Sequence, residues 1–214
     1  MRYLLFILVW FTTFTRAQDP ERFADEVAAI QKKYDTLWDA SKETIVFTGS
    51  SSVRIWTDLQ ERFPNHQIVN SGFGGSQASD LLAYTNELIL QYKPKKVFIY
   101  EGDNDIADSK DSKEIIQNLQ AIFGKIRAQN PAAEIVFIAA KPSIARWNLK
   151  RNYKRLNRKL KKLSRKDAEL HYADVWKPML IRRKVMTDIF IEDGLHMNAK
   201  GYAIWYDVLK EFVN

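Results

Sequence analysis

Cysteine is absent, and its absence removes disulfides, thiolate nucleophiles and Cys-ligated zinc or iron–sulfur centres from consideration. Histidine is scarce. His66, His171 and His196 are the full complement, which argues against a multi-histidine metal site. Also missing is any internal repeat, low-complexity segment or Pro/Gly-rich linker that would mark a second domain. The 214 residues suffice for one domain with a substantial core and are short for two. With 46% apolar and 13% aromatic residues, the composition is that of a globular protein and not of a disordered one.

Residues 1–17 stand apart. Arg2 gives a short positive start, residues 3–14 form an apolar run, and Thr15-Arg16-Ala17 puts small residues at −3 and −1 before Gln18. That is the grammar of a secretory signal peptide, and the run is short for a membrane span. Cleavage and export, periplasmic or secreted, are therefore expected over an uncleaved anchor, with no membrane contact afterwards. No cysteine follows the run, which excludes a bacterial lipoprotein anchor. Residues 18–43 read as a helical lead-in and 44–214 as the functional domain.

Loss of Arg2 and Arg16 would lower the formal net charge from +7 to +5, and most of that excess is local. Residues 150–166 hold ten Lys or Arg and no acid, with Tyr153, Leu156, Leu160 and Leu163 at helical spacing. The simpler reading is an amphipathic helix with a solvated basic face; the sharper one is attraction to anionic glycans or a membrane surface. The charges are not interleaved with aromatics as a base-stacking platform requires, so nucleic acid is not an expected partner.

Strand and helix patterns alternate along the chain. Phe23, Val27, Ile30, Tyr34, Leu37 and Trp38 predict a leading helix over 19–42. Strands are expected at 44–48, 67–70, 96–100, 134–140 and 170–174, and helices at 53–63, 79–92, 113–129, 150–166 and 198–212. Such alternation builds βαβ units, and five strands give an α/β fold: a three-layer α/β/α sandwich around a parallel, flavodoxin-like sheet. Ligand sites in open α/β sheets lie beyond the carboxyl ends of the strands. Residues 175–192 are expected as an insertion over that edge.

Four stretches after strands carry candidate chemistry. Strand one runs into Thr48-Gly49-Ser50-Ser51-Ser52, where a serine at a sharp strand-to-helix turn can present its hydroxyl and its N–H, although serines there also cap helices. Strand two leads to Asn70-Ser71-Gly72-Phe73-Gly74-Gly75-Ser76, whose glycines let backbone N–H groups face an anion. Gln77 stands where a dinucleotide fingerprint would need glycine. Strand three ends in Gly102-Asp103-Asn104-Asp105; its asparagine amide can meet an oxyanion, and its aspartates can equally form an Asx-turn or bind a hard cation. Asp193-Gly194-Leu195-His196 pairs an aspartate with a histidine that can act as general base.

Together these four blocks, in this order, resemble the SGNH hydrolases, also called the GDSL-type esterase/lipase family, over roughly 44–212. The resemblance implies that Ser51 is the nucleophile, His196 the base and Asp193 its partner. It implies an oxyanion hole from the Ser51 and Gly75 N–H groups and the Asn104 amide, with Gly74 one residue from Gly75. Ser50 stands where the family usually has aspartate, which leaves Ser50 as an alternative nucleophile. No cofactor or metal is implied. The expected substrate is a small acyl ester, O-acetyl groups on carbohydrate first, with short-chain lipid esters or thioesters next. In the loop after strand four, Arg146, Lys141 and Trp147 are candidate substrate contacts; Trp147 could instead anchor the basic helix, and the two cations could simply be solvated. A metal-dependent phosphoesterase using Asp103, Asp105, Asp193 and His196, and a non-catalytic glycan-binding module, are the rivals.

Overall fold

The computed structural model describes residues 19–213, so the expected signal segment at 1–17 lies outside the described residues. Strands β1 (Thr44–Gly49), β2 (Gln67–Gly72), β3 (Lys96–Tyr100), β4 (Glu134–Ile138) and β5 (Leu170–Ala173) form one all-parallel sheet in the order β2-β1-β3-β4-β5. The helices are α1 (Ala24–Leu37), α2 (Ser51–Arg54), α3 (Leu59–Arg62), α4 (Ala78–Ala83), α5 (Thr85–Leu88), α6 (Asp103–Ala107), α7 (Ser112–Gln129), α8 (Lys150–Ser164) and α9 (Ala199–Val213). The flavodoxin-like order is the one expected.

β1 and β3 are buried along their whole length, as runs rich in β-branched and aromatic residues are when both faces of a parallel sheet are covered. Their register pairs Phe47 with Phe98, and the two rings stack 4.2 Å apart. On this face Trp56 meets Phe47, and Trp205 of α9 packs against both Trp56 and Tyr100. α7 buries Ile115, Leu119, Ile122 and Ile126 at helical spacing and packs beside α4 and α8 to complete the layers.

Several boundaries differ from expectation for local reasons. The leading helix opens as a 3-10 turn at Pro20–Phe23 and stops at Leu37, where Trp38 turns extended and its indole N–H donates to Thr44 Oγ1 at 2.9 Å. The helix expected over 53–63 is two short pieces, α2 and α3. Asn70 Nδ2 on β2 donates to the carbonyls of Val53 (2.8 Å) and Trp56 (3.4 Å), satisfying groups that the break exposes. The helix expected over 79–92 breaks at Tyr84, and the Thr85 hydroxyl donates back to the Leu81 and Leu82 carbonyls. β4 ends at Ile138 because the Asn157 side chain takes both backbone groups of Ala140, at 2.9 Å each. Within 175–192 lies a small antiparallel hairpin, β6 (Leu180–Ile181) with β7 (Lys184–Val185), turned through Arg182 and Arg183 at positive φ. Its Arg-Arg turn carries none of the Asn-Gly chemistry that announces a hairpin in sequence.

Two buried acids, Glu101 and Asp105, tie the turn after β3 to the turn after β2, and a third, Asp80, holds the turn after β2 to the N-terminal segment. Ser76 Oγ donates to Glu101 Oε1 at 2.7 Å, the Ala78 N–H reaches Asp105, and Asp80 accepts from the Gln77 N–H at 2.9 Å and pairs with Arg22 at 3.2 Å. Burial, reinforced by the charge of Asp105, pushes the Glu101 carboxyl well above the usual carboxylate range. Burial likewise raises Asp105 to about 6. In this range the folded chain holds protons that the unfolded chain has released. The stability these two groups contribute is therefore full below the ordinary carboxylate pKa and is lost as pH rises through 6 and above. Glu101→Gln, which is neutral and nearly isosteric, is expected to flatten that decline. Thermal unfolding from pH 5 to pH 8 measures it, and an unchanged slope would contradict the assignment.

Candidate active site

The end of β1 is shaped by Gly49. Its φ is +119°, and a Cβ there would lie 2.0 Å from the Tyr100 carbonyl oxygen on the neighbouring strand. Only glycine lets the chain pass so close before turning into α2. Ser50 then donates its N–H to that same Tyr100 carbonyl at 3.0 Å and is itself buried. Ser51, the first residue of α2, is half-buried, and its Oγ lies 2.9 Å from His196 Nε2.

His196 comes from the loop between the hairpin and α9. Asp193 Oδ1 accepts the N–H groups of Leu195 (2.8 Å) and His196 (2.9 Å), while Oδ2 lies 2.5 Å from His196 Nδ1. Desolvation works against the Asp193 charge, but the Leu195 N–H and the His196 ring and N–H together outweigh it and hold the carboxyl at about 2. An ionised Asp193 makes Nδ1 the protonated nitrogen, which leaves Nε2 free to accept the Ser51 hydroxyl proton. The loop is fastened to the β4 side: Gly194 O accepts from Ile144 N (2.9 Å) and Ala145 N (3.1 Å), and Lys141 Nζ donates to Leu195 O at 2.7 Å.

The other expected residues gather around Ser51. Asn104 sits on α6 and donates its amide to Ser50 Oγ at 2.6 Å and to Ser76 O at 2.8 Å, bringing the turns after β1, β2 and β3 together. Gly75 is exposed with φ +75°, and a Cβ there would meet nothing within 4 Å. Among the described residues, the backbone N–H groups of Ser51 and Gly75 make no hydrogen bond. The Gly74 N–H, by contrast, donates to Glu26 Oε1 at 3.0 Å, a carboxylate also paired with Arg54 at 3.2 Å. That contact takes Gly74 out of substrate reach and leaves Gly75 as the open donor. Ser50 Oγ accepts from Asn104 and makes no contact with the histidine, whereas Ser51 Oγ does.

The loop after β4 departs from expectation. Lys141 is fully buried rather than solvated, and it faces Asp103 at 3.6 Å as well as Leu195. Arg146 directs one nitrogen to Asp103 Oδ1 (2.6 Å) and another to Asn104 Oδ1 (3.0 Å), so its fork is committed within the protein. By holding the amide oxygen, it fixes which way Asn104 faces, with Nδ2 on Ser50 Oγ and Ser76 O. Trp147 stacks on Trp176 at 6.0 Å and carries Lys150 Nζ over its ring at 5.0 Å, which favours the anchoring role over a sugar-stacking one. Asp103, a candidate metal ligand in sequence, is instead a buried ion. Burial opposes its charge, but Lys141, Arg146 and the Tyr153 and Tyr100 hydroxyls hold it at about 2. Asp105 faces the separate Glu101 cluster, so the carboxylates named for the phosphoesterase reading do not converge; among the described residues no group of three His, Cys, Asp or Glu side chains is arranged to hold a metal ion.

A family model described as the GDSL-like Lipase/Acylhydrolase family matches residues 38–204. The chain belongs to that family. This makes it an ester hydrolase, and the sandwich is the family's fold. The hydrolase is similar in structure to a provisionally named platelet activating factor from Streptococcus pneumoniae, with 24% identity, 91% of this chain and 95% of that one covered, and a TM-score of 0.78. It is also similar to a GDSL-like lipase from Bacteroides thetaiotaomicron (18% identity, 91% and 96% covered, TM-score 0.73). A third similar structure is a carbohydrate esterase family 3 protein from Talaromyces cellulolyticus (17% identity, 80% and 96% covered, TM-score 0.64). At these identities the likenesses are of fold. No curated protein matches the chain.

The roles of Glu26, Ser76, Lys141 and Arg146 in supporting this hydrolase's site were missed in sequence. Two cations in the loop after strand four, set against a buried Gly-Asp-Asn, were the available signal. The glycines make a contrasting pair. Gly75→Ala is expected to cost about 1–2 kcal/mol, the price of positive φ alone. Gly49→Ala must also displace the Tyr100 carbonyl and is expected to lose far more, to the point of failing to fold. Chemical denaturation of both variants measures the difference, and equal losses would contradict it.

Proposed function

We propose that this ester hydrolase removes small acyl groups, O-acetyl groups on carbohydrate first, through an acyl-enzyme on Ser51. The observation that carries the reading is the aligned series Ser51 Oγ, His196 Nε2, His196 Nδ1 and Asp193 Oδ2, with separations of 2.9 and 2.5 Å at its two contacts. His196 takes the Ser51 proton as Oγ attacks the ester carbonyl, and Asp193 stabilises the imidazolium. The carbonyl oxygen becomes an oxyanion. The unbonded N–H groups of Ser51 and Gly75 receive it, joined by the Asn104 amide once it exchanges its bond to Ser50 Oγ for one to the oxyanion. The imidazolium then gives its proton to the leaving alcohol. Water, deprotonated by His196, attacks the acyl-enzyme, releases the acid and returns the proton to Ser51.

The exposure of the site supports a small acyl group on a polar carrier. The side chains of Asp193 and His196 remain 41% and 25% exposed, and Gly75 is exposed as well, so a bulky hydrophilic substrate can approach with only its ester inserted. The similarity to the Talaromyces carbohydrate esterase agrees with this reading. Action outside the cytoplasm is part of the proposal and rests on the signal-like residues 1–17.

Hydrolysis of p-nitrophenyl acetate and butyrate tests the proposal. Ser51→Ala is expected to fall to background, Asn104→Ala to lose about 10²–10³ in kcat, and chelator to have no effect. Turnover surviving in Ser51→Ala, or removed by chelator, would overturn it. A preference for butyrate would move the substrate toward lipid esters.

Arg146→Lys separates orientation from charge. Lysine can still neutralise Asp103 but lacks the fork that also holds Asn104 Oδ1. We expect kcat to fall about tenfold or more through misaiming of Asn104, with KM and thermal stability little altered. An unchanged kcat would show that the Asn104 amide needs no such support.

A further inference from the structure

The cavity that stands out away from Ser51 lies between α8 and the outer edge of β5. It encloses about 550 Å³, within the roughly 300–1,000 Å³ typical of ligand sites. One wall is a single helix face bearing Arg151, Lys154, Arg155, Arg158 and Lys161. Tyr172 and Trp176 supply an apolar floor. The one carboxylate lining it, Asp174, has its own cation in Lys177 at 3.8 Å. Among the described residues, none of the five helix cations has a carboxylate within 4.0 Å.

This wall works against the helix that carries it. Like charges three and four residues apart on a helix repel. A cationic first turn also opposes the helix dipole, and the first turn of α8 contains no acid. The helix is held instead by its other face, through buried Tyr153, Leu156, Asn157, Leu160 and Leu163. An element whose local electrostatics conflict with its fold, at the wall of a cavity, marks a functional surface. Its complement is a polyanion.

The shape of the surface selects among polyanions. A membrane-docking face needs exposed apolar side chains among its cations, and the large exposed hydrophobics (Leu37, Ile144, Ile181 and Ile191) all lie outside this cavity. Base stacking along a strand needs several open aromatic faces, and this groove offers one, the half-buried Tyr172, because Trp176 is 7% exposed and already stacked on Trp147. A concave groove with an apolar floor and cationic wall suits sugar rings, which have C–H faces and can carry carboxylate or sulfate groups on the rim. Packing contacts connect the groove to the site: Trp176 lines it and stacks on Trp147, and the adjacent Arg146 holds Asn104.

We infer that the α8–β5 groove is a binding subsite for an acidic polysaccharide, positioning its acylated units toward Ser51. The second half of this statement rests on the acyl-enzyme reading above; the first half does not.

Binding of polygalacturonate to the protein tests the inference, with dextran as neutral control and phosphatidylglycerol vesicles and single-stranded DNA as rival polyanions. Arg151→Gln/Arg155→Gln/Arg158→Gln removes three groove charges, and Lys32→Gln/Lys42→Gln/Lys95→Gln removes three elsewhere. The groove variant is expected to bind polygalacturonate at least about tenfold more weakly, while the other triple changes by less than about twofold. Equal loss in both triples, no polygalacturonate binding by the wild type, or tighter binding of vesicles or DNA than of the glycan would overturn it. Hydrolysis of p-nitrophenyl acetate, too small to reach the groove, reads the Ser51 chemistry separately. Its absence beside an intact groove effect would remove the acyl-enzyme reading alone, and its presence with no groove effect would remove the subsite alone.

Discussion

The carboxylate of Asp103 is buried and ionised, a combination that is stable only when opposite charges and hydrogen-bond donors surround it. Here the donors come from separate parts of the chain: Tyr100 from β3, Lys141 and Arg146 from the loop after β4, and Tyr153 from α8. Satisfying one charge therefore fixes several segments relative to one another. Two of the four partners reach further. Lys141 also holds Leu195 O, beside the histidine, and Arg146 also holds the Asn104 amide. The proposed base and oxyanion donor are thus both referenced to Asp103, although neither touches it through its own functional atoms.

Sheet order explains why such a reference is needed. β1 lies between β2 and β3, so the turns carrying Ser51, Gly75 and Asn104 are neighbours by construction. The histidine loop follows β5, at the sheet edge, with β4 and β3 between it and β1. Strand pairing alone cannot bring His196 to Ser51. The crossing is made by the long connection after β5 and secured by the β4 loop, through Ile144 and Ala145 on Gly194 O and Lys141 on Leu195 O. Each of these bonds is to a backbone carbonyl, so the loop's path is set largely independently of its side chains.

What could be read from the sequence follows the same division. Periodicity located the strands that Ser51, Gly75, Asn104 and the Asp193–His196 pair follow, but each stretch alone was ambiguous, and these residues were singled out by the resemblance to the SGNH hydrolases. The sheet order came only with the flavodoxin-like class that five alternating strands suggest. The roles of Arg146 and Lys141 were not legible, since a cation in a loop carries no sign of which buried acid it will meet, and Asp103 read equally well as a metal ligand. The breaks at 55–58 and 84 were hidden because they depend on Asn70 reaching across from another strand and on the Thr85 hydroxyl turning back on its own helix. Periodicity sees neither. Gly74 and Gly75 could be separated only once Glu26, nearly fifty residues earlier, was seen to take the first of the two N–H groups.

α8 shows how one element can meet two unlike demands. Its buried face supplies Tyr153 to Asp103 and Asn157 to the end of β4, so the site's framework fixes the helix in place whatever its outer face carries. A free helix of this composition would be weakened by its own charge, since helices in proteins persist mainly through tertiary packing of one face. Anchored in this way, the outer face can hold a density of positive charge chosen for a ligand and not for helix stability. The anchoring also gives that charge a fixed position: the framework that orients Asn104 through Arg146 is the one that sets the groove's angle to Ser51. A charged surface on a mobile tail would attract a polyanion without presenting any part of it to the site. On α8, attraction and presentation come from the same helix.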